Sequence, residues 1–352
     1  MLEATKAAQI EATDRVTSES SKVATAGAIH MRQSLEVDCQ RSLSGQFESA
    51  KHTGGASLAF AGVPSKIAEL CQEALRAGIS VESVRSLIQT YQLPAPATAG
   101  GEWPWPFKVY VMGSFRVLKG DAPLRFSRRM QKRTLELLQA IIAFGGADVS
   151  SGALTDALWP DSDADAGYHA LESGVYRLRQ LLGESGAVIM ARGKVSLDRN
   201  YFWVDMWALE KELPGWDGNR SDAAERFARI RRLYVGHFLE NESDKPWTFK
   251  TRQLLHDRFL RSIREVARIY EGQRLWQEAA NIYQSGIELD GMAEDLYRGL
   301  MICHRELGEH TEVLQIYGRC RDLLTQVLGV PPNPKTQAIY NSARRTLVTA
   351  TG

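Results

Sequence analysis

The chain has 352 residues, 44% of them apolar and 24% charged, with a formal net charge of +1. That leaves room for two or three domains of ordinary globular composition. A near-zero charge excludes a uniformly basic nucleic-acid binder, so any DNA-binding surface must be local. The four cysteines, Cys39, Cys71, Cys303 and Cys320, form no C-x-x-C pair and flank no histidine at ligand spacing. That pattern argues for reduced thiols in a cytoplasmic protein and against a zinc site or a disulfide framework. No apolar run reaches the roughly 18 residues that span a bilayer. No basic segment followed by an apolar core opens the chain, so no signal peptide is expected.

Residues 1–60 are rich in Ser, Thr, Ala, Gln and Glu, with sparse apolar residues, and read as a poorly ordered tail. Residues 61–100 read as a helical hairpin and linker. Ile67, Leu70 and Leu75 form one apolar stripe, and Val81, Val84, Leu87 and Ile88 form another. Gly78 falls between them as a C-cap, and "PAPATAGG" supplies the Pro/Gly linker. Phe107, Val109 and Val111 then alternate with Lys108 and Tyr110, and Phe115 and Val117 with Arg116. Period two around the "KGD" turn predicts a small antiparallel sheet, with Leu124 and Phe126 following it.

The period next becomes helical. "RRMQKRTLELLQAIIAFGG" stops at Gly145-Gly146, "VSSGALTDALWP" is shorter, and a third helix runs from about Gly167 to Leu182. Within the third, "ESGVYRLRQLLG" sets Val175, Leu178 and Leu182 on one face and Tyr176, Arg177, Arg179 and Gln180 on another. Two short strands, 188–190 and 195–197, flank a turn carrying Arg192 and Lys194. From about 203 the pattern is helical throughout. Glu278 and Glu312, Ile282 and Ile316, and Tyr283 and Tyr317 are each 34 residues apart, the period of tetratricopeptide (TPR) helix pairs. Arg274 stands where that repeat usually has glycine, and Gly308 restores it in the second copy.

The order of three strands, three helices and a terminal hairpin over 107–198 resembles the OmpR-type winged helix. Residues 103–347 resemble something narrower, a winged helix followed by a bacterial transcriptional activator domain, as in SARP-type regulators. The motifs are "GSFRVL", "LLQAIIAFGGADVSSGALTDALWPD", "VYRLRQLLG", "WVDMWALEKEL", "GHFLENESDKPW" and "LGVPPNPKTQAIY". The hairpin and "WPWPFKVYVMGSF" are similar to the C-terminal part of MalT-like regulators, which carry an ATPase upstream. No G-x-x-x-x-G-K-S/T occurs in this chain. The fold class implied is mainly α with small β elements: a winged helix-turn-helix at 101–200 followed by a TPR-like activator domain at 201–350. Each is expected to hold a core of its own.

The resemblance implies a sequence-specific DNA-binding regulator, an activator, with helix 167–182 in the major groove. Glu172, Ser173 and Arg177 then face bases, and His169, Tyr176 and Arg179 lie near phosphates. Arg192 and Lys194 then reach the backbone or the adjacent minor groove. Read from charge alone, the same helix face is equally a solvated surface. Apart from the resemblance, Arg125–Arg133 is the densest basic run and opens a helix; it is equally a solvated charge run or a backbone contact, with Arg128 and Arg129 the candidates within it. Twelve basic against ten acidic residues leave 107–198 at only +2, so affinity must come from placement. Gly174 interrupts the helix at a cost of about 1 kcal/mol relative to alanine. The tryptophans could serve as stacking platforms, but their apolar-periodic settings favour packing. Asp161, Asp163 and Asp165 lack the glycine and glutamate of a calcium loop. No catalytic motif and no cofactor or metal signature occurs. The expected partners are double-stranded DNA, a second copy in a homodimer, and RNA polymerase, with no membrane; no motif names a small-molecule signal. The competing reading is a protein–protein interaction scaffold whose winged domain does not bind DNA.

Overall fold

The computed structural model describes residues 64–124, 132–213 and 220–351. The tail at 1–60, Phe126, Arg128, Arg129 and the "PGWDGN" connection lie outside the described residues. Two compact units divide the chain after Pro104.

The first unit contains α1 (Pro64–Ala77) and α2 (Val81–Thr90). Gly78 closes α1 in the left-handed region, with φ 68°. Its N–H donates to the Leu75 carbonyl and that of Ile79 to Ala74, the two bonds of a Schellman motif. The expected linker is not a free spacer. Glu102 accepts from Gln72 and Arg76, Arg76 also donates to the Thr98 carbonyl, and Trp103 is buried.

The second unit opens with β1 (Phe107–Tyr110), β2 (Arg116–Lys119) and β3 (Ala122–Pro123). The anticipated antiparallel β1–β2 pair is present, but the sheet has four strands in the order β3-β2-β1-β7. Its far edge is β7 (Phe202–Val204), which runs parallel to β1. Periodicity did not reveal β7: "FWV" is too short to show a period and is buried on every residue. It lies past residue 200, in the stretch read as helical. Because β1 is central, its alternation does not give a wet face. Lys108 is buried and its ammonium bonds Asp121 at 2.8 Å, while Trp203 meets Tyr110 edge-on at 5.4 Å.

The chain then forms α3 (Lys132–Ala143), β4 (Val149–Ser150), α4 (Ser151–Leu158) and α5 (Ala164–Leu182). The hairpin β5 (Val188–Ala191) and β6 (Lys194–Leu197) follows, and β4 pairs with β6. After β7 come α6 (Asp205–Glu212) and α7 (Arg220–Leu233). Last are α8 (Pro246–Gly272), α9 (Trp276–Leu289), α10 (Glu294–Glu306), α11 (His310–Leu328) and α12 (Pro334–Thr351). The molecule is mainly helical with small β elements.

The 34-residue period is real in three dimensions. It relates the start of α9, Trp276, to that of α11, His310, and the turn at Arg274 to that at Gly308. Both turns make the same bonds, from the third residue back and the fifth. Arg274 takes φ 59° there and Gly308 takes 81°. Tyr283 and Tyr317 do not share a setting. Tyr283 is buried, donates to Glu271 on α8 at 2.9 Å, and lies so close to Gly299 of α10 that a Cβ there would overlap its ring. Tyr317 is half-buried and stacks on Tyr340 of α12 at 4.2 Å. The second repeat is covered by a single closing helix.

One buried cluster runs from Phe107 to Ala343 through both the sheet and the repeats. Polar links reinforce it. Glu136 of α3, itself buried, is held by Arg133 and by Lys245, each at 3.1 Å. Thr251 of α8 donates to the Ala143 carbonyl at 2.8 Å. Residues 237–240 run antiparallel beside residues 111–113, just past the end of β1, with Leu239 N donating to Val111 and Gly113 N to His237, both at 2.8 Å.

Candidate nucleic-acid interface

α5 begins three residues earlier than its periodicity suggests, because the acidic loop supplies its cap. The Asp163 carboxylate accepts from Ala166 N at 2.8 Å, which satisfies one of the amides a helix start leaves open. Asp163 is therefore a cap in a solvated loop. The helix ends on Gly183, at φ 72°.

The buried side of α5 is Leu171, Gly174, Val175, Leu178 and Leu182. Gly174 has a packing reason: an added Cβ would stand 3.0 Å from Leu137 of α3 and 3.7 Å from Trp159. The missing side chain lets the two helices approach, which offsets its helix-propensity cost. The outward side presents Tyr168, His169, Glu172, Ser173, Tyr176, Arg177 and Gln180, with Tyr176, at 63% exposure, the more open of its two tyrosines. His169 Nδ1 lies 3.4 Å from Glu172 Oε2. Five of the six sequence-selected α5 residues thus share one exposed face. The sixth, Arg179, is half-buried, and its Nε donates to the Val188 carbonyl at 2.9 Å.

Arg192 and Gly193 alone connect β5 to β6. Both have positive φ, 51° and 70°, as a two-residue hairpin turn of right-handed twist requires. Arg192 is exposed at the tip. Lys194 is exposed beside Asp148, at 3.9 Å. Ser151 N donates to the Gly193 carbonyl at 2.9 Å, which fastens the tip to the start of α4.

The described tryptophans pack. Trp103, Trp105, Trp203 and Trp207 are buried, and Trp207 sits against Gly146 under the Arg199 guanidinium at 4.4 Å. Asp205, missed by sequence reasoning, is a second fixed point. Its buried carboxylate accepts from Val111 N at 2.9 Å, Met112 N at 3.1 Å and Met206 N at 2.7 Å. Burial pushes its pKa up to about 6 against the pull of those amides. An acid opening an amphipathic helix after a strand, as in "WVDMW", is the only signal that could have flagged it. Among the described residues no cluster of His, Cys, Asp and Glu could hold a metal ion, and no helix is long and apolar enough to cross a membrane.

Residues 209–344, from inside α6 to inside α12, match the model of the bacterial transcriptional activator domain. Over that span the chain is similar to the bacterial transcriptional activator domain. The activator domain and the strands and helices before it follow the SARP-type pattern read from the motifs. Regulatory protein AfsR of Streptomyces griseus is 24% identical over 253 residues, 70% of this chain and 25% of that protein, so the match spans about a quarter of its length. The structure of Mycobacterium tuberculosis EmbR in complex with a low-affinity phosphopeptide aligns with a TM-score of 0.51. It is 18% identical, over 68% of this chain and 65% of that one, a likeness of fold. The family of the activator domain is one of transcription regulators, not enzymes.

Proposed function

We propose that this chain is a sequence-specific DNA-binding transcription activator. The observation that carries this reading is the exposed face of α5, offered by a winged-helix segment joined directly to an activator domain. At about 1.5 Å per residue the 19-residue helix is long enough to lie in a major groove and extend beyond it. Arg177 is the strongest candidate for a bidentate bond to guanine O6 and N7, with Ser173 and Glu172 one turn earlier. Glu172 would accept from cytosine N4. Tyr176 and His169 flank them within reach of phosphates. Arg192 and Lys194 on the wing are proposed to contact the backbone or the minor groove. Arg128 and Arg129 are kept as backbone contacts on sequence grounds alone. The helical repeats would offer a surface to a second copy or to RNA polymerase.

One observation favours the competing reading, a scaffold that binds protein. The exposed face of α5 is nearly neutral, with Arg177 set against Glu172, a poor start for phosphate attraction. A selection from a random duplex pool followed by a salt series decides between them. The DNA reading expects an enriched motif and an affinity that falls linearly on log axes with salt. Arg177→Ala should cost about 1–3 kcal/mol on the selected site and relax one base position. Arg192→Ala with Lys194→Ala should weaken all duplexes and reduce the slope by about one or two units. No enrichment and flat, weak binding at every salt would leave the scaffold reading standing.

A further inference from the structure

A helix face can read a groove only if the helix is held at a fixed angle, and the last turn of α5 is held from two sides. On one side Arg179 Nε donates to the Val188 carbonyl at 2.9 Å, so the helix grips the first strand of the wing. On the other the Lys119 ammonium, at the end of β2, donates to the Leu182 carbonyl at 2.8 Å. Carbonyls of a last helical turn have no partner within the helix, and cations are favoured there by the helix dipole. Between the two grips Gly183 turns the chain, its N–H bonded to the Arg179 carbonyl at 2.9 Å. Arg177, two residues back, is exposed, whereas Arg179 is half-buried with its Nε already engaged.

We propose that Arg179 and Lys119 are positioning residues, which clamp the end of α5 between the four-stranded sheet and the wing and so fix how the reading face and the wing tip meet a duplex. This rests on the DNA-binding reading, and it gives Arg179 a different task from the phosphate contact that its charge suggests. The two tasks differ in what lysine can replace. A phosphate contact needs only a point charge at the end of a long side chain. The grip on Val188 needs an N–H at the Nε position, where lysine carries a methylene.

The test uses the full chain with Arg179→Ala, Arg179→Lys and Lys119→Met. It measures binding to a selected and a random duplex over a salt series, beside amide exchange. Both Arg179 variants should lose at least about tenfold on the selected duplex, with the salt slope kept within about half a unit of wild type. Exchange of the Val188–Leu197 amides should quicken. Lys119→Met should lose selected-site affinity in the same way and quicken exchange at Leu181–Gly183. A slope reduced by about one in Arg179→Ala, with equal loss on random duplex and near-wild-type behaviour of Arg179→Lys, would make Arg179 a phosphate contact and overturn the clamp. Unchanged exchange in all three variants would overturn it too. Wild-type protein that binds no duplex would instead remove the DNA reading, and the exchange data would still decide whether the clamp exists.

Discussion

Asp205 accepts three backbone N–H bonds while burial keeps its pKa at about 6, well above the ordinary 3.8. A carboxylate raised in the folded state favours folding when protonated. Its contribution is complete below about pH 4 and is lost as pH rises through 6. Stability should therefore increase as pH falls from 7 to about 5, and Asp205→Asn should remove that part of the profile in denaturant titrations at each pH. The same variant turns an amide NH2 toward the N–H donors of Val111 and Met112, and should cost about 1.5–3 kcal/mol at pH 7. A flat wild-type profile between pH 5 and 7 would show that the amides outweigh burial. Arg274 is a simpler case. It occupies the turn that Gly308 makes in the second repeat, at φ 59°. Arg274→Gly relieves left-handed strain but frees the unfolded chain, and should stabilise by about 0.5–1 kcal/mol net. An unchanged or lower melting midpoint would mean that the turn is unstrained.

Most elements of this chain could be read from their apolar periodicity, most plainly where one face is wet, as on α5. The α1–α2 hairpin, β1, β2, α3, α4, α5 and the wing all appear near their expected positions. The 34-residue spacing located the paired helices through Ile282 and Ile316, both buried. What could not be read lacks such a face or depends on distant partners. β7 is buried throughout, Lys108 is covered because its strand is central, and Asp205 acts on residues 94 positions earlier. The exposed face of α5 was legible, but the engagement of Arg179 was not, since a charged residue on a helix does not announce a carbonyl on the neighbouring strand. Gly174 belongs to the same lesson: propensity counted it as a defect, and packing on Leu137 gives it a purpose. Gly174→Val should force α3 and α5 apart, cost about 1–3 kcal/mol, and weaken selected-site binding more than random binding. Equal melting midpoints for the variant and wild type would show that Leu137 gives way freely.

From Trp105 onward the chain is one compact unit with one core. A winged segment with a separate core would survive damage to the repeats; a shared core predicts otherwise. Tyr283→Ala, which empties the space against Gly299, should cost about 3–5 kcal/mol. It should lower the midpoint reported by wing amides together with that reported by α10. Tyr317→Ala, whose ring is half-exposed, should cost only about 1–2 kcal/mol. Calorimetry showing two transitions, with the winged one unmoved by Tyr283→Ala, would restore independent halves. The parallel pairing of β1 with β7 has a consequence for the order of events on the ribosome. Val111 emerges early, but Asp205, the residue that binds its amide, follows 94 residues later. At about 5–20 residues per second the first strand waits roughly 5–20 s for its partners. A nascent chain stopped at residue 200 would hold the whole helix–wing sequence and still lack the strand and carboxylate that complete its sheet.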